Sequence, residues 1–253
     1  MHSLRIAISF LTTLALRPDG EIRRGDLGRA AAWFPTVGLL IGVLTAAALT
    51  LFHFLFAPLL CAALTIAVWV FLTGALHLDG LADCCDALFV SAPPQRRLEI
   101  LRDPRRGAFG LTGLVLFLIL KTAALASLIE TEGNGLWFAS LANAITAILL
   151  ATVFARWMVL FAARQPLARQ DGLGADLAMQ LTPRSLLLAG LLPVLWIAVT
   201  GVRGVIAAAA AALLVLIIVR FARTQLGGVT GDVFGLLIEL VELTVLLVFC
   251  ARF

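Results

Sequence analysis

Apolar residues run along this chain in long blocks, and short charged segments separate them. A helix needs roughly 20 apolar residues to cross a bilayer core. Stretches of that order lie near 31–52, 57–76, 108–129, 136–162, 185–201, 204–221 and 234–251. The pattern predicts an all-α, polytopic membrane protein with about seven transmembrane helices. It reads as a single integral membrane domain over residues 1–253, with no second composition regime to mark a soluble unit. No fixed-period repeat or low-complexity tract stands out apart from the alanine run 207–212. A further apolar run, Ile6 to Leu16, is short for a span. Arg17, Arg23, Arg24 and Arg29 follow it rather than precede it, and no small-x-small cleavage site is present. A cleaved signal carries its charge before the apolar run. The segment is therefore expected to be a retained helix lying in or near the interface.

Composition supports this pattern. Hydrophobic residues make up 62% of the chain and charged residues 13%, with a mean hydropathy of +1.06. Soluble domains are about half apolar and a quarter charged, so lipid must solvate much of this surface. Cys61, Cys84, Cys85 and Cys250 form neither a disulfide framework nor a zinc-type CxxC pair. The formal charge of +4 would raise nucleic acid as a partner in a soluble protein. Here the expected partner is the lipid bilayer, not nucleic acid, and the cations serve to orient the chain.

With the N-terminus in the cytosol, the cytosolic connectors hold Arg5, Arg17, Arg23, Arg24 and Arg29, then Arg96, Arg97, Arg102, Arg105 and Arg106. Arg164, Arg169, Arg184, Arg220 and Arg223 follow on the same side, leaving only Arg203 and Arg252 outside. That bias is the positive-inside rule, and it predicts a cytosolic N-terminus and an external C-terminus. Acidic residues sort likewise. Asp79, Asp83, Asp86, Glu99, Asp103, Asp171, Asp176 and Asp232 fall on the cytosolic side, and Glu130 and Glu132 outside. Carboxylates contribute little to topology, so a cytosol-facing site is one cause of their one-sidedness.

The segment His77-Leu-Asp-Gly-Leu-Ala-Asp-Cys-Cys-Asp86 follows a span end. On a helix, Asp79, Asp83 and Asp86 fall at i, i+4 and i+7, on one stripe. Three like charges at the edge of a low-dielectric region repel one another unless a cation sits among them. Hard oxygen ligands suit Mg²⁺, which leaves positions for water and phosphate. A solvated acidic face with Asp79-Gly80 as a turn is the alternative. His77, about opposite the stripe, reads equally as a capping residue or a catalyst. Downstream, Arg102, Arg105 and Arg106 flank Asp103, and Gly107 and Gly110 open the next span. Clustered guanidinium groups beside a helix start favour phosphate, although each Arg alone reads as a topology signal.

A second constellation is Arg223-Thr-Gln-Leu-Gly-Gly-Val-Thr-Gly-Asp232, followed by Glu239 and Glu242. Gly227, Gly228 and Gly231 allow close backbone approach to a ligand, and Thr230 or Asp232 could cap the next span. Glu239 and Glu242 lie within an apolar span, where ionisable groups are expensive and face a cavity or a partner. Asp232, Glu239 and Glu242 share one helical face, expected to line the same cleft as the Asp79 stripe. Lys121 and Arg156, also inside spans, would be counter-ions for these glutamates or for substrate phosphate.

On these residues the chain resembles the cobalamin synthase family, the adenosylcobinamide-GDP ribazoletransferases. The matching pieces are Phe34-Pro35 with Val37-Gly38 and Gly42, and Gly74-Ala-Leu-His-Leu-Asp-Gly-Leu-Ala-Asp83 with Asp86. Then come Arg102-Asp-Pro-Arg with Gly107 and Phe109-Gly110, and Gly227-Gly-Val-Thr-Gly-Asp232 with Gly235, Glu239 and Glu242. Ala87 stands where the family pattern has glycine, which bears on turn geometry. The resemblance implies a multi-pass enzyme of the bacterial inner membrane, with its active site facing the cytosol and Mg²⁺ as cofactor. It would join adenosylcobinamide-GDP to α-ribazole, or to its 5′-phosphate, and release GMP.

On that reading Asp79, Asp83 and Asp86 hold Mg²⁺. Arg102, Asp103, Arg105, Gly228, Thr230, Asp232, Glu239, Glu242 and Lys121 serve substrate or phosphate. Asp83, Asp232 or His77 accepts the nucleophile's proton. Partners would be these substrates and lipid, with room for a homo-oligomer or for association with other corrinoid-pathway enzymes. A CDP-alcohol phosphotransferase would need an Arg after the Asp-Gly pair, where Leu81-Ala82-Asp83 stand instead. A transporter would place its polar groups near the midplane, often between repeats, whereas most carboxylates here cluster on one side.

Overall fold

Each apolar block becomes helix. The computed structural model describes residues 2–14, 16, 20–130 and 137–252, without the side chain of Trp137. Arg17 and Glu132, both used to orient the chain, lie outside the described residues. The helices are α1 His2–Leu11, α2 Asp26–Ala30, α3 Phe34–His53, α4 Pro58–Thr73, α5 Leu76–Leu88 and α6 Pro94–Ile100. They continue as α7 Ala108–Ile129, α8 Trp137–Ala162, α9 Gly172–Met179, α10 Pro183–Leu226 and α11 Gly231–Cys250. A 3-10 turn, Ala31–Trp33, joins α2 to α3. Among the described residues there is no strand, only an isolated bridge between Leu167 and Val229.

Among the described residues, five helical stretches are long and apolar enough to cross a membrane: Asp26–His53, α7, α8, α10 and α11. The number becomes six if α4 and α5 together count as one broken span. α8 and α11 form the covered centre, while α7 and α10 turn most of their apolar residues outward. Such exposure fits a chain whose outer solvent is lipid.

The stretches read from sequence depart from these helices in three places. First, α1 stops at Leu11 and buries Ile6, Ala7, Ile8 and Leu11. Its end is tied to α4 by the Thr13 N–H donating to the Leu72 carbonyl at 2.8 Å. It is thus packed against the bundle and ends earlier than the apolar run that was read for it.

Second, the 57–76 block breaks at Gly74 (φ 61°) and Ala75 (φ 56°), and α5 leaves α4 at 93°. Two successive left-handed residues make the bend. Ala75 pays about 1–2 kcal/mol for it, since its Cβ crowds the following carbonyl. The bend carries α5 out of the spanning direction.

Third, 185–201 and 204–221 fall within one 44-residue element, α10, which breaks at Gly201 (φ 64°, ψ −143°). A straight helix of that length would be roughly 66 Å long. Yet both of its ends lie against the end of α8. Trp157 Nε1 donates to the Leu186 carbonyl at 3.3 Å, and Arg223 Nη1 donates to Gln165 Oε1 at 3.4 Å. α10 therefore doubles back at Gly201, a conformation suited to glycine. Its two arms are the two stretches predicted separately.

Candidate functional site

Asp79 and Asp83, one turn apart on α5, converge on a single cation. Arg106, from the α6–α7 connector, donates through Nη2 to Asp79 and through Nη1 to Asp83. Asp83 is largely buried and Asp79 is exposed. Burial pushes the Asp83 carboxyl up to about 7. Arg106 pulls the other way, and neighbouring Asp79, Asp232 and Asp86 add to the rise.

α5 holds this position because it crosses α11 at two glycines. A Cβ on Gly80 would stand 2.7 Å from the Asp232 carbonyl, and one on Gly235 would stand 3.0 Å from the His77 carbonyl. The contact sets the α5 carboxylates beside the start of α11. At the other end of α5, buried Arg97 donates to the Ala87 and Leu88 carbonyls, at 3.1 and 2.5 Å, and to Ala92. That satisfies acceptors a helix end leaves open. Ala87 itself is helical, so its departure from the family's glycine strains nothing locally.

Asp86 does not join the pair. Its carboxylate accepts the Gly107 N–H at 2.7 Å and the Gly110 N–H at 2.8 Å, at the N-terminus of α7. The anion-binding helix start expected to serve phosphate is thus filled by a side chain of the protein. The two glycines leave room for it, since a Cβ on either would stand 2.3 Å from the carboxylate. Among the described residues no group of three or more His, Cys, Asp or Glu side chains is gathered to hold a metal. The geometry supplies a two-carboxylate pair, with Asp232 nearby, in place of the expected set of three.

Asp232, in the first turn of α11, accepts from Arg169 Nη2 at 3.0 Å and from Thr230 Oγ1 at 3.1 Å. Thr230 also caps α11 through the Val233 N–H at 3.4 Å. The loop before it pairs with the segment after α8. Val229 N–H donates to Pro166, and Ala168 N–H donates to Val229, each at 2.9 Å. Gly228 is buried in that pairing, where a Cβ would stand 2.4 Å from Ala168 N. Gly228 and Thr230, expected to bind phosphate, instead hold the 166–169 segment so that Arg169 meets Asp232.

A cavity of about 320 Å³ opens here, with Asp79, His77, Arg169, Asp171 and Asp232 on its wall. His77 is buried, and its Nε2 has no partner among the described residues. Arg102 reaches Asp171 at 2.8 Å on the rim. Asp103 and Arg105 pair with each other at 2.7 Å in the open, and Arg105 holds the Asp103 carboxyl well below the usual carboxylate range. They line a second hollow of about 330 Å³ together with Asp86 and Arg106.

Glu239, Glu242 and Lys121 lie elsewhere. Lys121 Nζ meets Glu239 at 2.8 Å and Glu242 at 2.5 Å, and Arg156 donates to Glu242. Lys121 also stands 4.2 Å from the Trp69 ring centroid. All four ionisable groups are buried, and none lines the cavity. The expected counter-ions are present. The expectation that Glu239, Glu242 and Lys121 face the cleft and bind phosphate is corrected, because they spend their charge on one another inside the bundle.

Arg169 and Asp171 carry the site but were read from sequence only as topology signals or one-sided charge, and Arg106 was read only as one member of a phosphate-favouring guanidinium cluster, not as the partner of Asp79 and Asp83. The one clue was their position, next to Gly107 and in a polar connector between apolar blocks.

Helices that cross a membrane, with acids and guanidinium groups gathered over a cavity, define an integral membrane protein with a charged site suited to an anionic ligand. The family model of the cobalamin-5-phosphate synthases matches residues 3–250, and the chain belongs to that family. A Deinococcus radiodurans protein named adenosylcobinamide-GDP ribazoletransferase is 40% identical, over 96% of this chain and 84% of its own. Relatives of the same name from Stutzerimonas stutzeri (39%, covering 97% and 96%) and Ectopseudomonas mendocina (39%, covering 98% of each) match end to end. No solved structure matches the chain significantly.

Proposed function

We propose that this protein is an adenosylcobinamide-GDP ribazoletransferase. It would move the cobinamide phosphate of adenosylcobinamide-GDP onto a free ribose hydroxyl of α-ribazole, or of its 5′-phosphate, and release GMP. The supporting observation is the convergence of Asp79 and Asp83 on one guanidinium beside Asp232 and Arg169 at the cavity. Phosphoryl transfer rests mainly on positioning and charge neutralisation, and this arrangement offers both.

Mg²⁺ suits the site in kind. Asp79 and Asp83 already share one cation, and Mg²⁺ is commonly bound by one or two carboxylates, with water and phosphate supplying the rest. When bound, it would neutralise charge on the diphosphate. Asp79 and Asp83 would hold it, while Arg106 and Arg169 bind phosphate oxygens. Asp232, which Arg106 does not engage, would accept the proton of the attacking ribose hydroxyl. The new O–P bond then forms as the bond to the GMP oxygen breaks. The arginine bias of the connectors supports a bacterial inner-membrane protein whose site faces the cytosol, with each arm of α10 crossing separately.

Protein reconstituted in liposomes tests this reading. GMP release from adenosylcobinamide-GDP should require both α-ribazole and Mg²⁺. Asp83→Ala should lower kcat by roughly a hundredfold or more, the loss typical of a group that stabilises transition-state charge. Undiminished turnover in Asp83→Ala, or in excess chelator, would sink the metal assignment.

A further inference from the structure

The cavity wall is of two kinds. Asp79, Arg169, Asp171 and Asp232 are charged, and apart from the buried imidazole of His77 the rest is mostly apolar, including Phe10, Leu11, Phe34, Val159, Leu177 and Ile238. Phe10 and Phe34 are stacked, with ring centroids 5.9 Å apart and 25° between planes. An apolar, aromatic-walled recess ending in charged groups fits a flat heterocycle carrying a polar tail.

Both substrates of the proposed reaction carry heterocycles, and size and polarity choose between them. About 320 Å³ is the scale of one small ligand, far too little for a corrin macrocycle. A guanine edge has an amino group, a ring N–H and a carbonyl. Against Phe, Leu, Val and Ile, with one buried imidazole, His77, beside them, most of these would go unpaired, which is costly. The base of α-ribazole is a dimethylated benzimidazole. Beyond the nitrogen bonded to ribose it has a single ring nitrogen, and its methyl groups suit an apolar wall. The ribose would then point toward Asp232 and Arg169, where its attacking hydroxyl must react.

We propose that this cavity is the nucleoside subsite. In it the apolar wall with Phe10 and Phe34 reads the base and favours a benzimidazole riboside over a purine riboside. The assignment rests on the ribazoletransferase reading for its substrates and adds where the acceptor sits and what selects it. The second hollow, lined by Arg106, whose guanidinium also holds Asp79 of the cavity wall, is left for the departing nucleotide.

The test compares α-ribazole with α-adenosine, the corresponding adenine riboside, as acceptors for the reconstituted enzyme. Wild type should prefer α-ribazole by at least tenfold in kcat/KM, since a purine edge would lie unpaired in the recess. Phe10→Gln, at a partly exposed position, should raise the α-ribazole KM about tenfold and narrow the preference. The KM for adenosylcobinamide-GDP should stay unchanged, which also shows that the variant is folded. A rise confined to the adenosylcobinamide-GDP KM would overturn the assignment, as would a wild type indifferent to the base.

Calorimetric binding of α-ribazole alone separates this proposal from the reaction it rests on. Binding that Phe10→Gln abolishes, in a protein that releases no GMP, would keep the subsite and discard the transferase reading. GMP release with no effect of Phe10→Gln on acceptor binding or KM would do the reverse.

Discussion

Two groups of charged side chains share α11, and they differ in what surrounds them. Glu239 and Glu242 meet Lys121 and Arg156 inside the bundle, all four closed off from solvent. Asp232, ten residues earlier and so roughly 15 Å along the helix, meets Arg169 at the wall of an open cavity beside Asp79, Asp83 and Arg106. Both are built of carboxylates and cations. The inner group is closed off and its ion pairs tie α7, α8 and α11 together, although Arg156 Nε and Nη2 have no partner among the described residues. The outer group has exchangeable partners, since a phosphate or a metal can replace an ion pair at an open wall. In a membrane chain, therefore, an ionisable residue does not by itself mark a site. Access to a cavity decides.

The sharpest way to break the comparison is to remove one partner from the inner group. Glu242→Ala leaves Arg156 and Lys121 short of their shared carboxylate in a buried region. Breaking a buried pair in this way costs about 3–5 kcal/mol. Thermal unfolding in detergent should show that loss. Asp79→Asn, at the exposed end of the outer group, should leave the unfolding midpoint nearly unchanged while lowering turnover. Equal loss of stability in the two variants would erase the distinction.

A smaller effect comes from pH. Burial raises Asp83 to about 7, so below that pH its carboxyl is protonated and a bound cation must displace the proton. The Mg²⁺ concentration for half-maximal turnover should therefore rise as pH falls below 7, approaching about tenfold per unit for one proton displaced. Above pH 7 it should level off. Asp83→Asn, assayed for its residual turnover, should flatten the dependence. A Mg²⁺ requirement unchanged between pH 6 and 8 would remove Asp83 from the ligand set.

Much of this organisation was legible in the chain. Helical class and membrane character follow from apolar blocks of span length, and the pairing of Lys121 and Arg156 with buried glutamates follows from the cost of isolated charge in lipid. What the sequence hid depends on tertiary direction. Helical spacing puts Asp79, Asp83 and Asp86 on one stripe, but cannot say that Asp86 turns to the α7 amides while Asp79 and Asp83 share Arg106. The same spacing puts Asp232, Glu239 and Glu242 on one face, but cannot say that this face passes from an open cavity into a sealed interior within three turns. Arg169 reaches the site only because a bridge at Leu167 and Val229 fixes its loop, and no local pattern announces such a bridge. The bend at Gly74-Ala75 sits inside an apolar block that reads as continuous, because a left-handed alanine has no compositional signature.

Asp86 tests how finely the outer group is divided. If its carboxylate serves as the cap of α7, Asp86→Ala should remove about 1 kcal/mol of stability, within the 0.5–2 kcal/mol range for lost caps. Turnover should fall only a few-fold, through loosening of the Arg106–Gly107 segment, and the Mg²⁺ requirement should stay where it was. Asp86→Asn keeps one acceptor oxygen and should retain part of the stability. If Asp86 instead leaves the amides to ligate metal during turnover, Asp86→Asn would show near-normal stability together with a large loss of kcat and a raised Mg²⁺ requirement. Measuring stability and Mg²⁺ dependence on the same two variants distinguishes a carboxylate that holds the scaffold from one that joins the chemistry, at a position one helical turn from Asp83.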